Sequence, residues 1–379
     1  MLSLSGSKKD YSGNLNALPL FLPAQKSIRL KRIWEQFTHW EHWPFFIIYM
    51  PLSVVWLYYS IRAGRFWFCS NVDPTLEFSG FQGEGKREMY EQLPKHLYPS
   101  TVYVNPRMPL EQIKELMTVT GIKYPCAAKP QVGMQGLMFR KINNEQELAK
   151  YHQHIPAEYL IQELVDLPME FSVFHVRYPG AQKGKVTGFI LKDYLAVMGN
   201  GRSTLIELIK NDERACFREE EMRQRHATHL HEIIPAGKKY FLSIAGNHNR
   251  GARFINLHHQ IDDKLCAVFD KISLENGHFY YGRYDLKCTS VEDLKAGKNI
   301  QILEFNGTGA EPNHIYDCGM PYSKALKVIM EHWRDMYCIG KINRKKGIPY
   351  WSYWKGRKHI KKADRFFAEL EKVDIGFEL

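Results

Sequence analysis

Side chains that could bind a metal ion lie at two points of the stretch from 282 to 313, in two strand-like segments. Asp285 lies in the segment YYGRYDL, and Glu304 and Asn306 follow apolar residues 300–303. Because residues i and i+2 of a strand point to the same face, Glu304 and Asn306 project together, and an antiparallel partner would bring Asp285 beside them. Such oxygen ligands suit Mg²⁺, which shares its shell with phosphates. Arg283 would share that face and hold an anion. The alternative interpretation is a surface hairpin with scattered acids.

Two further segments carry features of an anion-binding site. A strand that ends in Lys129 leads into a loop with Gly133 and Gly136. The lysine supplies charge, and glycine lets backbone N–H groups approach a phosphate. The loop lacks the GK[ST] ending of a P-loop. The basic segment NHNRGARFIN offers Arg250 and Arg253 as an anion clamp.

A pair of strands joined by a short turn could hold a nucleoside. Residues 159–165 (YLIQELV) and 169–175 (MEFSVFH) are predicted strands, with a turn at 166–168. Gln162, Glu163 and Glu170 could place backbone groups on an adenine and a carboxylate on a ribose. An ordinary hairpin is the alternative.

The surrounding pattern predicts mixed helices and strands. Helices are expected at 85–92, 109–118, 144–154 and 322–337, and strands at 101–104, 124–130 and 240–244. A charged helix is expected at 211–231. Its histidines 226, 229 and 231 are interpreted as a solvated helix end, because no carboxylate lies at a metal-ligand spacing.

The composition bounds the class of protein. A chain of 379 residues allows roughly two to three domains. Its net charge of +11 indicates an anionic partner. Seven cysteines without a CxxC pair argue against a disulfide framework or a zinc site, and favour free thiols in a reducing cytoplasm. No signal peptide is predicted, because the first 40 residues lack an apolar core behind a basic start.

An uncharged run of 17 residues extends from Phe45 to Ile61. As a helix it would be ~25 Å long, against a hydrocarbon core of ~30 Å, and Pro51 interrupts it. Basic residues on both sides, with Trp and Tyr at the margins, favour a helical hairpin that enters the membrane and returns. A spanning helix and a buried helix pair are the alternatives.

The segment from Lys341 to Lys362 interleaves nine Lys or Arg with four aromatic residues. Such a segment could bind RNA by stacking and phosphate contact. It equally suits an anionic bilayer. The apolar run near the N-terminus favours the membrane, so a nucleic acid is not the favoured partner.

In chain order, these features are a lysine, Lys-Pro-x-x-Gly-x-x-Gly, Gln-Glu-Leu-Val with a glutamate seven residues on, a further lysine, Arg-x-Asp and Glu-x-Asn. Over roughly residues 84 to 335 the chain resembles the ATP-grasp superfamily, in the neighbourhood of D-alanine–D-alanine ligase and cyanophycin synthetase. The resemblance implies an α+β fold, with ATP between the sheets of two α+β subdomains. The expected organisation is a disordered N-terminus at 1–25, a membrane-associating hairpin at 26–69, the ATP-grasp domain at 84–335 and a basic aromatic tail at 336–379.

The resemblance also implies roles for the candidate residues. For ATP it implies Lys86 and Lys129 as nucleotide-binding lysines, Gly133 and Gly136 in the flexible loop, Gln162, Glu163, Leu164 and Val165 as adenine hinge, Glu170 on the ribose and Lys192 as a further lysine. For catalysis and metal it implies Arg283 at the oxyanion, Arg250 and Arg253 on the donor carboxylate, and Asp285, Glu304 and Asn306 as ligands of two Mg²⁺.

The chain departs from the family's pattern in two places. The segment 1–83 is too short and too apolar for the α/β domain that usually precedes the ATP-grasp part. Gly307 to Asn313 (GTGAEPN) replaces the Thr-x-Pro-Gly that follows Glu-x-Asn in D-alanine ligases. A different acceptor site is therefore expected.

The expected function is an ATP-dependent carboxylate–amine ligase that uses ATP and Mg²⁺ and forms an acyl phosphate. It would act on an amphiphilic or envelope substrate at the cytoplasmic face of an inner membrane, with an anionic membrane surface as partner. The alternatives are an ATP-grasp phosphotransferase or kinase, a non-catalytic membrane-bound nucleotide-binding protein and a basic RNA-binding protein.

Overall fold

The computed structural model describes residues 39–134, 136–243, 246, 251–375 and 377. The N-terminus predicted to be disordered (1–25), residues 26–38 of the predicted membrane segment, and Arg250 lie outside the described residues. The chain divides into two units, 1–44 and 45–379. The described part of the first contains one short 3-10 helix, Trp40–His42.

The second unit contains the helices and strands that follow. The helices are α1 Phe45–Tyr49, α2 Ser53–Ala63, α3 Lys86–Tyr90, α4 Leu110–Thr120, α5 Glu145–His154, α6 Leu205–Asn211, α7 Glu219–Arg225, α8 Asp263–Asn276, α9 Val291–Lys295, α10 Tyr322–Lys345 and α11 Tyr353–Ile375. The strands are β1 Thr101–Val104, β2 Cys126–Pro130, β3 Arg140–Ile142, β4 Tyr159–Glu163, β5 Met169–Val176, β6 Lys185–Asp193, β7 Ala196–Met198, β8 Lys239–Phe241, β9 Arg253–Asn256, β10 Tyr281–Cys288 and β11 Gln301–Asn306.

The first sheet is antiparallel, with the order β1-β4-β2-β3. Alternate residues such as Val102, Val104 and Ile161 are buried in one core with Ile113 of α4 and Leu148 of α5. This period-2 burial turns one face of the sheet toward the helices.

The second sheet is also antiparallel, with the order β11-β10-β5-β6-β9. Its apolar face, which includes Phe171, Tyr284 and Ile302, packs with Leu265 and Phe269 of α8. The residues between these apolar positions point to the other face, and the candidate site residues of β10 and β11 are among them. The predicted α+β class is confirmed, and the strand pairs of both large sheets are antiparallel. A third sheet, β7-β8, packs with α6 and α7 as a small separate cluster.

The apolar run forms one helical segment rather than the predicted hairpin. A 3-10 helix, Met50–Leu52, joins α1 to α2, and Pro51 lies in its first turn. A proline is tolerated there because its missing N–H would have no partner. Tyr49, Leu52 and Ser53 all keep right-handed helical angles, so the chain does not reverse. Phe45–Ala63 is the one segment of the described chain that is long and apolar enough to cross a membrane by length and composition.

The C-terminal region is folded onto the domain rather than forming a tail. The predicted boundary at 335/336 falls inside α10, which continues to Lys345. Helix α11 follows, and its last turns place Leu370 in the core of the first sheet. Asp374 accepts a hydrogen bond from the Met138 backbone and forms an ion pair with Arg140, at 2.9 and 2.8 Å. Neither α11 nor α8 is among the predicted helices.

Candidate active site

Four predicted site residues lie together on one face of the second sheet. In the antiparallel register of β10 and β11, Asp285 lies opposite Glu304, and Arg283 lies opposite Asn306. Directly opposed residues point to the same face. The juxtaposition expected for the acidic and amide side chains is therefore present.

Asp285 is the most strongly held carboxylate of this group. Arg283 binds it with two N–H groups, Nε to Oδ1 and Nη2 to Oδ2, both at 3.1 Å. Lys192 Nζ lies 3.4 Å from Oδ2, and the Ser172 hydroxyl donates to Oδ1. Burial alone would raise the pKa of Asp285, but Arg283 and Lys192 outweigh it and lower that pKa to about 2. The carboxylate is therefore ionised at neutral pH.

A β-bulge in β11 contacts the first sheet beside Asp285 and Glu304, which we call the acidic edge. The register shifts between Asp285 and Leu286, so that Leu303 is the extra residue of β11. A bulge leaves such a residue outside the regular ladder and redirects its backbone. The Leu303 carbonyl accepts hydrogen bonds from Lys129 Nζ, at 3.3 Å, and from the Tyr90 hydroxyl. Lys129, at the end of β2, thus lies against the residue that precedes Glu304.

Lys129 is half-buried and its pKa is low for a lysine. Burial lowers the pKa of Lys129 to about 8, although the carboxylates of Glu304 and Glu170 partly oppose this. Its Nζ also donates a hydrogen bond to the Tyr90 hydroxyl, at 3.1 Å. Because burial destabilises the charged form of this lysine, an anion that binds beside it would stabilise that form.

Lys86 approaches the acidic edge from α3. Its Nζ lies 3.2 Å from Glu304 Oε1, and its side chain is only 10% exposed. The Lys86 backbone N–H donates to the Gln131 carbonyl at 3.0 Å, which fixes α3 beside the glycine loop. A Cβ added at Gly133 would lie 3.7 Å from Lys86 Nζ. Gly136 has φ +75°, which glycine adopts at little cost.

A second ion pair, between Lys192 and Glu170, lies beside the pair of Arg283 and Asp285. Lys192 Nζ is 2.9 Å from Glu170 Oε1, and the Tyr194 hydroxyl donates to Glu170 Oε2. Burial disfavours the charged lysine, but Asp285 and Glu170 overcome this and raise its pKa. The backbone at Gly246 lies close against this pair, since a Cβ there would be 2.6 Å from Glu170 Oε1.

The predicted adenine hinge connects the two sheets. Gln162 is buried and donates from Nε2 to the Thr101 hydroxyl at 2.8 Å. Strand β4 ends at Glu163, whose side chain is exposed, and Leu164 and Val165 begin the linker to β5. The Val165 carbonyl accepts from Lys287 Nζ at 3.0 Å, so β10 anchors this linker.

Arg253 is not brought to this cluster. It pairs in register with Asp193 on β6, one residue from Lys192, and therefore lies on the opposite face of the sheet. Asp193 forms ion pairs there with Arg214 and Lys239, at 3.1 and 3.5 Å. This placement does not support the predicted contact of Arg253 with the donor carboxylate. Arg250 lies outside the described residues.

Several site residues are missing from the predicted set: Tyr90, Ser172, Lys287, Tyr49 and Glu311. For Ser172 and Lys287 a signal existed. Lys287 lies two residues after Asp285, and Ser172 two residues after Glu170, so strand alternation places each with a predicted residue. The roles of the other three depend on contacts between elements far apart in sequence.

Glu311 connects the apolar helix to the site arginine. The Tyr49 hydroxyl of α1 donates to Glu311 Oε1 at 2.8 Å, and the Tyr316 hydroxyl donates to the same oxygen at 3.3 Å. The Glu311 backbone carbonyl accepts from Arg283 Nη1 at 3.3 Å. The loop that departs from the D-alanine ligase pattern therefore lies between Arg283 and the apolar helix.

The donor set at the acidic edge fits Mg²⁺. Asp285 and Glu304 face each other across two paired strands, and Asn306 Nδ2 donates to Asp285 Oδ2 at 3.4 Å in the ligand-free protein. The two carboxylates and the Asn306 side-chain oxygen are hard ligands of the kind that Mg²⁺ takes together with phosphate oxygens. No group of three or more His, Cys, Asp or Glu side chains with metal-binding geometry occurs in the described part of the chain, which leaves the predicted phosphates to complete a shell.

The cluster also has several cationic side chains that could bind a polyphosphate. The cations are Lys86, Lys129, Lys192 and Arg283, and the carboxylates nearest to them are Glu170, Asp285 and Glu304. In the ligand-free protein the cations pair with the carboxylates. A triphosphate with bound Mg²⁺ would exchange partners with both sets of groups.

Comparison with known proteins gives similarity to solved structures alone. No family model matches the chain, and no curated protein matches it. The similar structures include a bifunctional glutathione synthetase from Pasteurella multocida (14% identity, TM-score 0.37, covering 66% of this chain and 36% of that one). They include D-alanine–D-alanine ligases from Bacillus anthracis (14%, 0.37, covering 66% and 67%) and Coxiella burnetii (9%, 0.38, covering 72% and 61%).

The chain spans between about a third and two thirds of the length of these structures. At such identities and TM-scores, the likeness does not by itself establish a reaction. The functional conclusion rests on the site.

Proposed function

We propose that this protein is an ATP-dependent carboxylate–amine ligase that proceeds through an acyl phosphate. One observation carries the proposal: Lys129 of the first sheet contacts the bulge of β11, whose next residue is Glu304, opposite Asp285. The lysine proposed to bind phosphate and the strand edge proposed to bind Mg²⁺ come from two separate sheets and lie next to each other. The resemblance of the motifs to ATP-grasp ligases supports the same conclusion.

The reaction requires positioning and charge neutralisation rather than a nucleophilic side chain. The γ-phosphoryl group of ATP moves to a carboxylate oxygen, and ADP leaves. The amine nitrogen then attacks the carbonyl carbon, loses a proton, and inorganic phosphate leaves with the former carboxylate oxygen. Lys86, Lys129 and Lys192 would bind phosphate oxygens, and Arg283 would bind the donor carboxylate and the oxyanion that forms at its carbon.

Asp285, Glu304 and Asn306 would hold the Mg²⁺ that the family uses. Bound there, Mg²⁺ offsets the charge of the phosphates during transfer. Before the nucleotide binds, Arg283 and Lys192 keep Asp285 ionised, and Lys86 lowers the pKa of Glu304 against the opposing effect of burial. Both carboxylates therefore stay in the form that binds a cation.

We further propose an amphiphilic or envelope-related substrate at the cytoplasmic face of a membrane. The support is the contact of Tyr49 with Glu311, which places the apolar helix next to the loop beside Arg283. A substrate with a polar end at Arg283 and an apolar chain toward α1 would use both features.

Hydroxylamine trapping tests the proposal. Hydroxylamine replaces the unknown amine, so that the full-length protein with ATP and Mg²⁺ should convert its donor carboxylate, supplied in pooled carboxylates including lipids, to a hydroxamate. Glu304→Gln should lose this activity. Lys141→Ala, an exposed lysine on β3, should retain it.

Two results would contradict the ligase proposal. Release of ADP with phosphorylation of a hydroxyl and no hydroxamate would identify a phosphotransferase. Binding of ATP without ADP release under every condition would identify a nucleotide-binding protein without catalysis.

A further inference from the structure

The outer face of the apolar helix is an exposed stripe of large apolar side chains. Phe46, Met50, Val54, Leu57 and Ile61 are spaced three or four residues apart, and each is 55–71% exposed. This spacing lines one side of a helix. Such a continuous exposed apolar stripe marks an interaction surface.

The inner face of the same helix is covered by protein. Ile48 and Leu52 are buried. The rings of Trp56 and Trp333 meet edge to face at 5.0 Å, and Tyr59 stacks on Tyr337 at 5.0 Å. Trp333 and Tyr337 belong to α10, whose sequence carries many charges. A helix that crossed a bilayer would have to leave these contacts or draw α10 into the hydrocarbon, which is costly.

The exposed stripe continues onto the start of α11. Phe66, just beyond α2, contacts Tyr353 with ring centroids 5.6 Å apart, and Trp354 follows at 5.2 Å from Tyr353. Trp354 is 74% exposed. Tryptophan and tyrosine side chains favour the boundary between hydrocarbon and headgroups. Two segments almost three hundred residues apart thus form one apolar and aromatic surface.

Basic side chains border this surface and no acidic residue interrupts them. Arg62 and Arg65 follow the stripe, and Lys355, Arg357, Lys358 and Lys361 of α11 are exposed beside Trp354. The segments 45–67 and 341–362 contain no Asp or Glu. A charge pattern of this kind complements anionic headgroups.

We infer that this surface, composed of the outer side of α1–α2 and the start of α11, docks in the plane of an anionic phospholipid bilayer. The helix lies along the boundary of the membrane with its inner side on α10, and does not cross it. This inference does not depend on ligase activity, because it uses no residue of the nucleotide site.

Vesicle co-sedimentation of the full-length, nucleotide-free protein tests the inference. The vesicles are phosphatidylcholine alone, or phosphatidylcholine with roughly one third phosphatidylglycerol, whose negative surface potential attracts basic residues. We expect binding to the anionic vesicles at least about tenfold tighter than to the neutral ones. Added salt should weaken the binding.

Paired variants separate the apolar contribution from the charged one. Val54→Asp with Ile61→Asp should reduce binding to both vesicles by about tenfold or more. The matched control is Val119→Asp, because Val119 is a 79% exposed apolar residue on α4, away from the surface. Lys358→Glu with Lys361→Glu should remove the preference for anionic vesicles, whereas Lys123→Glu, at an exposed lysine after α4, should preserve it.

Circular dichroism and thermal unfolding of each variant confirm that it folds. An alkaline carbonate wash should release the wild-type protein from vesicles, and its retention would show a spanning helix and overturn the in-plane arrangement. Absence of vesicle binding, or equal losses of binding in the variants and their matched controls, would contradict the inference that this surface docks on a bilayer. So would a change from dimer to monomer caused by Val54→Asp with Ile61→Asp in a protein that binds no vesicles.

Discussion

At the scale of single residues, the site is a set of opposite charges that hold one another until a ligand arrives. Asp285 has Arg283 and Lys192 as partners, and Glu304 has Lys86. Burial makes the charges of Asp285 and Lys192 costly when they are unpaired. The groups proposed to bind the nucleotide therefore also contribute to the stability of the ligand-free protein, and the two contributions can be separated.

Asp285→Asn and Glu304→Gln should differ in stability but not in activity. Asp285→Asn leaves the half-buried Arg283 without a carboxylate partner and the buried Lys192 with Glu170 alone, and we expect the free energy of unfolding to fall by ~3 kcal/mol. Glu304→Gln should cost less than ~1 kcal/mol, because Glu304 is 37% exposed. Both variants should lose Mg²⁺-dependent ATP turnover. Denaturant unfolding and an ADP-release assay measure the two effects, and equal stability losses would contradict this assignment.

Lys129 should make ATP affinity depend on pH. Its pKa of about 8 lies below the ordinary 10.5, so the ammonium group proposed to bind phosphate is lost as the pH rises through 8. ATP affinity should then fall by up to about tenfold per pH unit. Lys129→Arg stays charged and should remove this dependence. Titrations between about pH 7 and 10 check it, and an unchanged slope in the arginine variant would assign the effect to another group.

The same pKa has a consequence for the ligand-free protein. Because the unfolded lysine binds its proton more tightly than the folded one, the contribution of Lys129 to the free energy of unfolding rises between about pH 8 and 10.5. Lys129→Met should abolish that part of the rise. Thermal unfolding of Lys129→Met and of the wild-type protein across this pH range measures the difference between their rises in stability.

At the scale of elements, alternation along strands predicted much of the site, and contacts between elements supplied the rest. The face shared by Arg283, Asp285, Glu304 and Asn306 follows from a period of two residues and an antiparallel partner. The bulge at Leu303 does not, because nothing in the sequence fixes where the register shifts. Arg253 lies on the face opposite the site because of how β9 pairs with β6, and the local sequence pattern does not reveal that pairing.

Pro51 and α11 show two further limits of the local pattern. A proline within an apolar run suggests a reversal, but its first-turn position in a 3-10 helix lets the segment continue. In α11, Ala363, Phe367 and Leu370 have helical spacing. The basic and aromatic residues before them gave the whole segment the composition of a tail.

Gly282 and Gly133 should respond differently to substitution by alanine. A Cβ at Gly282 would meet Phe305 Cζ at 2.3 Å and the Asn306 carbonyl at 2.7 Å, which would push β11 away from β10. We expect Gly282→Ala to cost ~2 kcal/mol or more. A Cβ at Gly133 would have no neighbour closer than 3.7 Å. The free energy of unfolding of Gly133→Ala should therefore stay within ~0.5 kcal/mol of the wild-type value. Chemical denaturation compares them, and a large loss at Gly133 would contradict the packing described.

Tyr49→Phe should weaken the connection between the apolar helix and the site loop. Its hydroxyl donates to the Glu311 carboxylate, and a hydrogen bond to a charged group contributes ~1.5–3 kcal/mol. Tyr58→Phe is the matched control on α2, because the Tyr58 hydroxyl accepts only an exposed bond from Arg62. Thermal unfolding should show a lower Tm for the first variant alone. A loss of the same size in both would remove the special role of Tyr49.

At the scale of the whole second unit, the last helix ties the first sheet to the rest of the unit. The start of α11 contacts Trp67, whose Nε1 donates to the Tyr353 carbonyl at 3.1 Å. Its end binds Arg140 and the Met138 backbone through Asp374. The first sheet carries Lys129 and the second carries the acidic edge, so α11 contributes to holding the two halves of the site in register.

Calorimetric titration of ATP, with and without Mg²⁺, tests the central claim most directly. We expect the wild-type protein to bind ATP at least about tenfold more tightly with Mg²⁺ than without it. Glu304→Gln should lose most of that difference, and Lys129→Ala should weaken binding under both conditions. A wild-type protein that binds no ATP, or a Glu304→Gln variant that keeps the full effect of Mg²⁺, would contradict a nucleotide site shared by the two sheets.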